Sequence, residues 1–156
     1  MNPYKINWDV AGSYRRGEPT SGDIDLLVES LPGLNMLGVV TLLQSIIPAK
    51  LVQGESLFMG VVRLDEQHNG HRIDIRLVDS FYYPTSLMYF TGSQQFNILM
   101  RQRAIELEMK LNEYGLYLYG DIQIPTMTEQ DIFKYLGVAY LSPIERTRTL
   151  GALRLI

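Results

Sequence analysis

The sequence predicts an α+β fold: a small β-sheet with at least one helix packed on it, followed by a lobe built mainly of helices. Two observations lead there. In the first half, short apolar runs of β type recur between turn signals, with one helical stripe among them. Around Tyr82-Tyr83-Pro84 the apolar period changes to that of helices, which sets a lobe boundary near residue 85.

The elements follow in order. Ile6 to Ala11 is a short, largely apolar strand ending at Gly12, and Asp23 to Val28 is a second strand, stopped by the turn signal Pro32-Gly33. Leu34 to Ile47 carries Met36, Leu37, Val40, Leu43 and Ile47 at helical spacing, and Pro48 ends it. Lys50 to Gln53, Leu57 to Leu64 and Arg72 to Val78 read as strands, the last two joined by the polar hairpin loop from Asp65 to His71. Helices are expected from near Ser86 and again from Ser93 to about Leu111, where Phe96, Met100, Arg103, Leu107 and Leu111 share a face. Asn112 is a candidate cap for that second helix. Gly115 to Tyr119 and Ile122 to Ile124 form a short hairpin around Gly120-Asp121. Thr128-Glu129-Gln130-Asp131 then opens a helix that ends at Gly137.

The 156 residues suffice for one unit of two small lobes, and 46% hydrophobic with 20% charged residues is ordinary for a soluble protein. No apolar run approaches the roughly 20 residues of a membrane span, so no membrane association is expected. The start MNPYKINWDV has neither the basic residues nor the apolar run of a secretory signal, so an intracellular location is expected. Without cysteine there is no disulfide, thiolate metal site or thiol nucleophile. The net charge of −3 argues against holding nucleic acid over a wide surface by counterion release. Ten of the fourteen basic residues are nonetheless arginine, whose planar fork suits phosphate.

The chemistry concentrates in GSYRRGEPTSGDIDLLV, Gly12 to Val28. Residues two apart in a strand project from one face, so Asp23 and Asp25 point together while Ile24 turns to the core. RIDIRL, Arg72 to Leu77, repeats the alternation and puts Asp74 on one face with Arg72 and Arg76. If the sheet brings Asp74 beside Asp23 and Asp25, three carboxylates can hold two divalent ions about 3.5–4 Å apart, as phosphoryl transfer uses them. Mg²⁺ suits such oxygen donors. Ahead of the acids, the glycines of the loop let backbone N–H groups approach an anion, and Ser13 and Arg16 can donate to phosphate oxygens. His68 and His71 lie in the hairpin loop with no further ligands and are not expected to bind metal.

GSYRRGEPTSGDIDLLV, RIDIRL, YFTGS with FN shortly after, NEYGLY and the closing TEQDIFKYLGVAYLSPIER occur in the same order and at similar spacing in the X family of DNA polymerases, which the chain resembles over nearly its whole length. The resemblance implies a nucleotidyltransferase-like palm over residues 1–85, a small mixed sheet with helices on one face. A C-terminal nucleotide-binding lobe, the thumb, would follow over 86–156. It implies that Asp23 and Asp25 bind two Mg²⁺ ions, with Mn²⁺ as a substitute. Asp74 would bind the catalytic ion and help deprotonate the primer 3′-hydroxyl. Gly12, Ser13, Arg16 and Gly22 would hold the β- and γ-phosphates of a dNTP. Arg72 would contact a primer phosphate, and Arg76 would pair with Asp25 in the resting site and release it on closing. Tyr89, Phe90 and Gly92 would lie under the sugar. Asn97, Arg101 and Tyr114 would sit along the minor-groove side of the new pair, and Glu113 would stabilise the closed form.

Departures from the family pattern are expected to matter. Gln94 stands where an acidic residue approaches the base, and Ile98 where a basic one approaches the template. In cellular members a lyase domain and a fingers domain precede the palm. Both are expected to be absent here, as in minimal viral members, and none of Lys5, Lys50, Lys110 and Lys134 has the context of a Schiff-base lysine. The implied activity is gap-filling, repair-type DNA synthesis on gapped or nicked primer-template DNA. A monomer is expected, with weak, salt-sensitive DNA affinity and room for a protein partner that supplies grip. Template-independent nucleotide addition and a non-catalytic DNA-end or nucleotide-binding module remain as alternatives.

Overall fold

The computed structural model describes residues 6–43, 49–63, 70–119 and 121–156. They form two units: residues up to Ala11 with Thr20–Ser80, and Gly12–Pro19 with Phe81–Ile156.

The first unit is a five-stranded mixed sheet in the order β1-β2-β5-β4-β3: Trp8–Val10, Asp23–Ser30, His71–Asp79, Leu57–Val62 and Ala49–Gln53. β2 and β5 are parallel and central, and every other pairing is antiparallel. Helix α2, Met36–Leu42, supplies Met36 and Val39 to a core with Val28, Phe58, Val62, Ile73 and Ile75. The alternation in β5 produces this burial, since Ile73 and Ile75 go inward while Arg72, Asp74 and Arg76 take the other face. Phe58 and Ile75 are wholly buried, each contributing about 1.5–3 kcal/mol of hydrophobic stabilisation.

α2 begins at Met36, the first residue of its apolar stripe and two residues after the predicted start at Leu34, because the Asn35 side chain caps it by accepting from the Gly38 N–H at 2.9 Å. Its predicted last turn to Ile47 and most of the loop from Asp65 to His71, His68 included, lie outside the described residues. His71 itself opens β5.

The second unit holds α1 (Gly12–Arg15), α3 (Tyr83–Thr91), α4 (Gln94–Glu106), a three-stranded antiparallel sheet of β6 (Met109–Asn112), β7 (Gly115–Leu118) and β8 (Ile122–Ile124), and α5 (Glu129–Tyr135). Phe96, Met100 and Ala104 of α4 meet Ile132, Phe133 and Leu136 from the α5 region in its core. Capping fixes both helix starts: Ser93 Oγ accepts from Phe96 N–H at 3.2 Å, and Thr128 with Asp131 forms a capping box on α5. The Gly92–Ser93 peptide between α3 and α4 is cis. Residues after Gly137 fold back on it, with Ala139 N–H donating to Arg154 O at 2.7 Å and Ile156 N–H to Gly137 O at 3.0 Å.

Three sequence expectations are corrected here. α3 begins at Tyr83 rather than near Ser86, since Pro84 falls in the first turn, where its missing N–H costs nothing. α4 stops at Glu106 rather than near Leu111; Glu108 takes φ 58°, outside the helical range, and Leu111 belongs to β6. Asn112 therefore caps no helix. Its Oδ1 accepts from the Tyr114 and Gly115 N–H groups at 2.8 and 3.1 Å and shapes the β6–β7 turn, so the predicted hairpin gains a third strand. No helix among the described residues is long and apolar enough to cross a membrane.

Candidate active site

The carboxylates sit on the two central strands of the first unit. The parallel register sets Asp25 directly beside Asp74 and Asp23 beside Arg72. Paired residues of adjacent strands share a face, so the Asp25 and Asp74 side chains are neighbours on the surface opposite the core. Asp23 is exposed at the start of β2.

Two arginines neutralise the pair. Arg72 Nε lies 3.1 Å from Asp74 Oδ1 and its Nη2 3.5 Å from Oδ2, while Arg76 reaches Asp25 Oδ1 at 3.4 Å and Asp74 Oδ2 at 3.9 Å. Burial pushes the Asp25 carboxyl above the usual range; Arg76 opposes this, and Asp74 and Asp23 reinforce it. Among the described residues no three acids or histidines converge into a ready metal cluster. The donor set still fits a hard cation: Asp25 and Asp74 offer carboxylate oxygens from adjacent, register-locked positions, and each keeps some solvent access.

The arginine loop belongs to the second unit. Gly12 is buried at φ 64°, a conformation glycine adopts without penalty, and Arg16 N–H donates to its carbonyl at 3.2 Å to close the α1 turn. Ser13 is half-buried in that turn, and its carbonyl accepts from Glu18 N–H at 3.1 Å. Arg16 donates through Nη1 to Thr91 O at 2.5 Å and through Nη2 to Glu18 Oε1 at 2.9 Å, and its Nε is buried with no hydrogen-bond partner among the described residues. Gly92, at φ 67°, brings its backbone so close that an added Cβ would stand 3.1 Å from Arg16 Nη1. Gly22 is exposed in the first unit, with open space where a side chain would go.

Arg16 lines a pocket of about 530 Å³ with Ser93, Gln94, Gln95, Ile98 and Arg148. Both residues that depart from the family pattern, Gln94 and Ile98, therefore face this space. Glu18 joins the two arginines, since its second oxygen accepts from Arg148 at 3.2 Å. The hydrogen bond from Arg16 above all, then the charges of Arg16 and Arg148, hold its carboxyl below the usual range.

The remaining predicted residues gather where α3 and α4 meet. Asn97 Nδ2 donates to Tyr89 O at 2.8 Å, and the Tyr89 and Phe90 rings meet edge to face at 5.0 Å. Phe96 is pure core, whereas Tyr89 and Phe90 stay half-buried. Tyr89, Asn97, Arg101 and Asn112 line one small cleft. Tyr114 is exposed, with its ring against Tyr82 at 5.6 Å, and Glu113 accepts through its carbonyl from Ser86 Oγ at 2.7 Å.

Sequence reasoning missed the ion cluster that fastens the arginine loop. Arg15 donates to Thr91 Oγ1 at 2.8 Å and to Glu129, which also takes Arg146 Nη1 at 2.5 Å. Arg146 is wholly buried, stacked among Phe96, Phe133 and Tyr140, and its Nε donates to Leu141 O. The available signal was the doubled arginine of the loop: Arg16 faces the pocket, and its neighbour Arg15 turns to Glu129.

Residues 2–80 match the DNA polymerase beta palm family and residues 86–147 the DNA polymerase beta thumb family. DNA polymerase lambda of Rattus norvegicus is 34% identical over 160 residues, covering 88% of this chain and 28% of that protein. The DNA polymerase/3'-5' exonuclease PolX of Bacillus subtilis (strain 168) is 27% identical over 139 residues, 88% of this chain and 24% of its own length. DNA polymerase lambda of Arabidopsis thaliana is 25% identical over 168 residues, 90% and 32% respectively. A mixed-sheet palm followed by a small α+β thumb defines the class as nucleotidyltransferase-like. The chain belongs to the X family of DNA polymerases and spans about a quarter to a third of the length of these relatives.

Proposed function

We propose that the chain carries out template-directed, gap-filling DNA synthesis of the repair type. The primer 3′-hydroxyl loses its proton and attacks the α-phosphate of a dNTP. A new P–O bond forms, the bond to the β-phosphate bridge breaks, and pyrophosphate leaves with the electron pair. The observation that carries this reading is the register pairing of Asp25 with Asp74 on the central strands of a family X palm.

Asp23, Asp25 and Asp74 would hold two Mg²⁺ ions, or Mn²⁺, and these ions would supply charge compensation to the attacking and leaving oxygens. Asp74 would accept the hydroxyl proton. Arg76, now paired with Asp25 and Asp74, would have to leave them before a cation could bind, which makes it a gate. Arg72 would exchange Asp74 for a primer phosphate. Gly12, Ser13, Arg16 and Gly22 would position the β- and γ-phosphates; the partnerless Arg16 Nε, facing away from bulk water, supports an anion there. Tyr89, Phe90, Gly92 and Asn97 would set the sugar and base, and Arg101 and Tyr114 the new pair. Glu113 would favour the closed form.

Extension of a labelled primer with Mg²⁺ and each dNTP, on a gapped template and on single strand, tests this. Incorporation of the complementary dNTP alone, on the gap alone, is expected. Equal addition of every dNTP to single strand points instead to template-independent transfer. Binding of DNA or dNTP with no extension under any condition points to a non-catalytic module.

A further inference from the structure

Arg148 lies just beyond the span matched by the thumb family, on a turn pinned at both sides to the head of α4. Ser93 Oγ donates to Thr147 O at 2.8 Å, Gln95 Nε2 to Leu150 O at 3.3 Å, and Leu150 N–H closes the turn on Thr147 O at 3.3 Å. The turn thus presents the Arg148 guanidinium, 73% exposed, to the pocket that Arg16 lines from the opposite chain segment. Among the described residues, the only acid bonded to either arginine there is Glu18, which takes one fork of each.

The charges argue for an anionic guest. Two arginines share one carboxylate, so the cluster keeps one net positive charge, and Arg16, with only 10% of its side chain exposed, holds an unused buried Nε. The N-terminal end of the 13-residue α4 adds its partial positive charge at the same place. A polyphosphate would replace Glu18 on both forks with bonds that are likewise charge-assisted, and it brings more negative charge to the two arginines than one carboxylate does.

We propose that Arg148 is a second cationic contact for the terminal phosphates of a nucleoside triphosphate, held in reserve on Glu18 until the nucleotide arrives. This rests on the nucleotide-binding reading above and adds a residue to it. Binding exchanges one ion pair for another, so Glu18 acts as a placeholder that keeps both forks oriented.

Titration calorimetry in Mg²⁺ without primer tests the assignment with dATP, dAMP and tripolyphosphate. Arg148→Gln is expected to weaken dATP and tripolyphosphate by about 5- to 10-fold and dAMP by less than about 2-fold, since one charge-assisted contact is lost. Glu18→Gln, which removes the competitor, is expected to tighten dATP by about 2- to 5-fold. Circular dichroism checks that both variants keep the fold. If Arg148→Gln binds dATP like the wild type while Arg16→Gln binds it weakly, the role of Arg148 is overturned and the pocket remains. Equal weakening of dATP and dAMP by Arg148→Gln also overturns it. If the wild type binds neither dATP nor tripolyphosphate, the nucleotide reading falls together with the assignment.

Discussion

Replacing Glu129 by glutamine would remove the one carboxylate that contacts Arg146 among the described residues. Arg146 has no exposure at all, Glu129 only 6%, and the two are 2.5 Å apart. Apart from Glu129, the guanidinium meets among the described residues one carbonyl, Leu141 O at 3.1 Å, and three aromatic rings at 5.2 to 5.9 Å, and its Nη2 finds no hydrogen-bond partner among them. The carbonyl and the rings remain in the variant, so they do not compensate the change. Burial already pushes Arg146 below the ordinary arginine range, with Glu129 opposing, and the variant loses that opposition.

Breaking a buried ion pair from one side costs about 3–5 kcal/mol. Arg15, the second partner of Glu129, keeps 21% exposure and turns to water, so its share of the loss is small, and about 3–4 kcal/mol is expected. That is a large part of the roughly 4–12 kcal/mol that a unit of this size holds. Urea unfolding separates the units: the single tryptophan, Trp8, lies in the first, while circular dichroism reports both. The dichroism transition should move to lower urea while the Trp8 transition moves less. Adding Arg146→Met to Glu129→Gln should recover much of the loss, because the stranded charge is gone. A loss below about 1 kcal/mol, or a Trp8 transition that shifts first, would show that Arg146 does not depend on Glu129 for its charge compensation.

Other perturbations have equally definite outcomes. Thr128→Ala removes the capping box from the helix that carries Glu129 and should cost about 1 kcal/mol in thermal or urea unfolding. Phe96→Ala empties a fully buried ring position and removes a face from Arg146, so a loss of about 3–5 kcal/mol is expected by the same measurement. Asp25 carries a pH signature. Its carboxyl is raised in the folded state, so between the ordinary value of 3.8 and the raised one the folded chain holds a proton that the unfolded chain has released. Stability of the first unit contributed by this group therefore falls as pH rises through that window. Asp25→Asn should remove the dependence and raise the Trp8 midpoint at neutral pH; a variant less stable than the wild type would contradict it.

Much of the fold was legible because single strands carry strong patterns. RIDIRL alternates without a break, so its buried isoleucines and outward Asp74 could be read directly, and Thr128 to Asp131 spelled its own helix start. The end of α4 was not legible, since Leu107 and Leu111 continue the helical spacing and only the backbone at Glu108 breaks it. In the site, the neighbourhood of Asp25 and Asp74 depends on register between strands separated by most of the palm, which spacing along the chain leaves open and the motif supplied. The Arg15–Glu129–Arg146 cluster was hidden for a related reason. Its members are far apart in sequence, and each alone reads as an ordinary surface charge or a cap residue.

Single-turnover incorporation of one complementary dNTP into gapped DNA by wild type and Asp74→Ala measures the chemical step at the paired aspartates itself. Asp74 is assigned both a metal-binding and a proton-accepting role, so its loss should slow the chemical step by at least about 10²- to 10⁴-fold while DNA still binds. Incorporation by Asp74→Ala at the wild-type rate, or none by the wild type in Mg²⁺ or Mn²⁺, would contradict it.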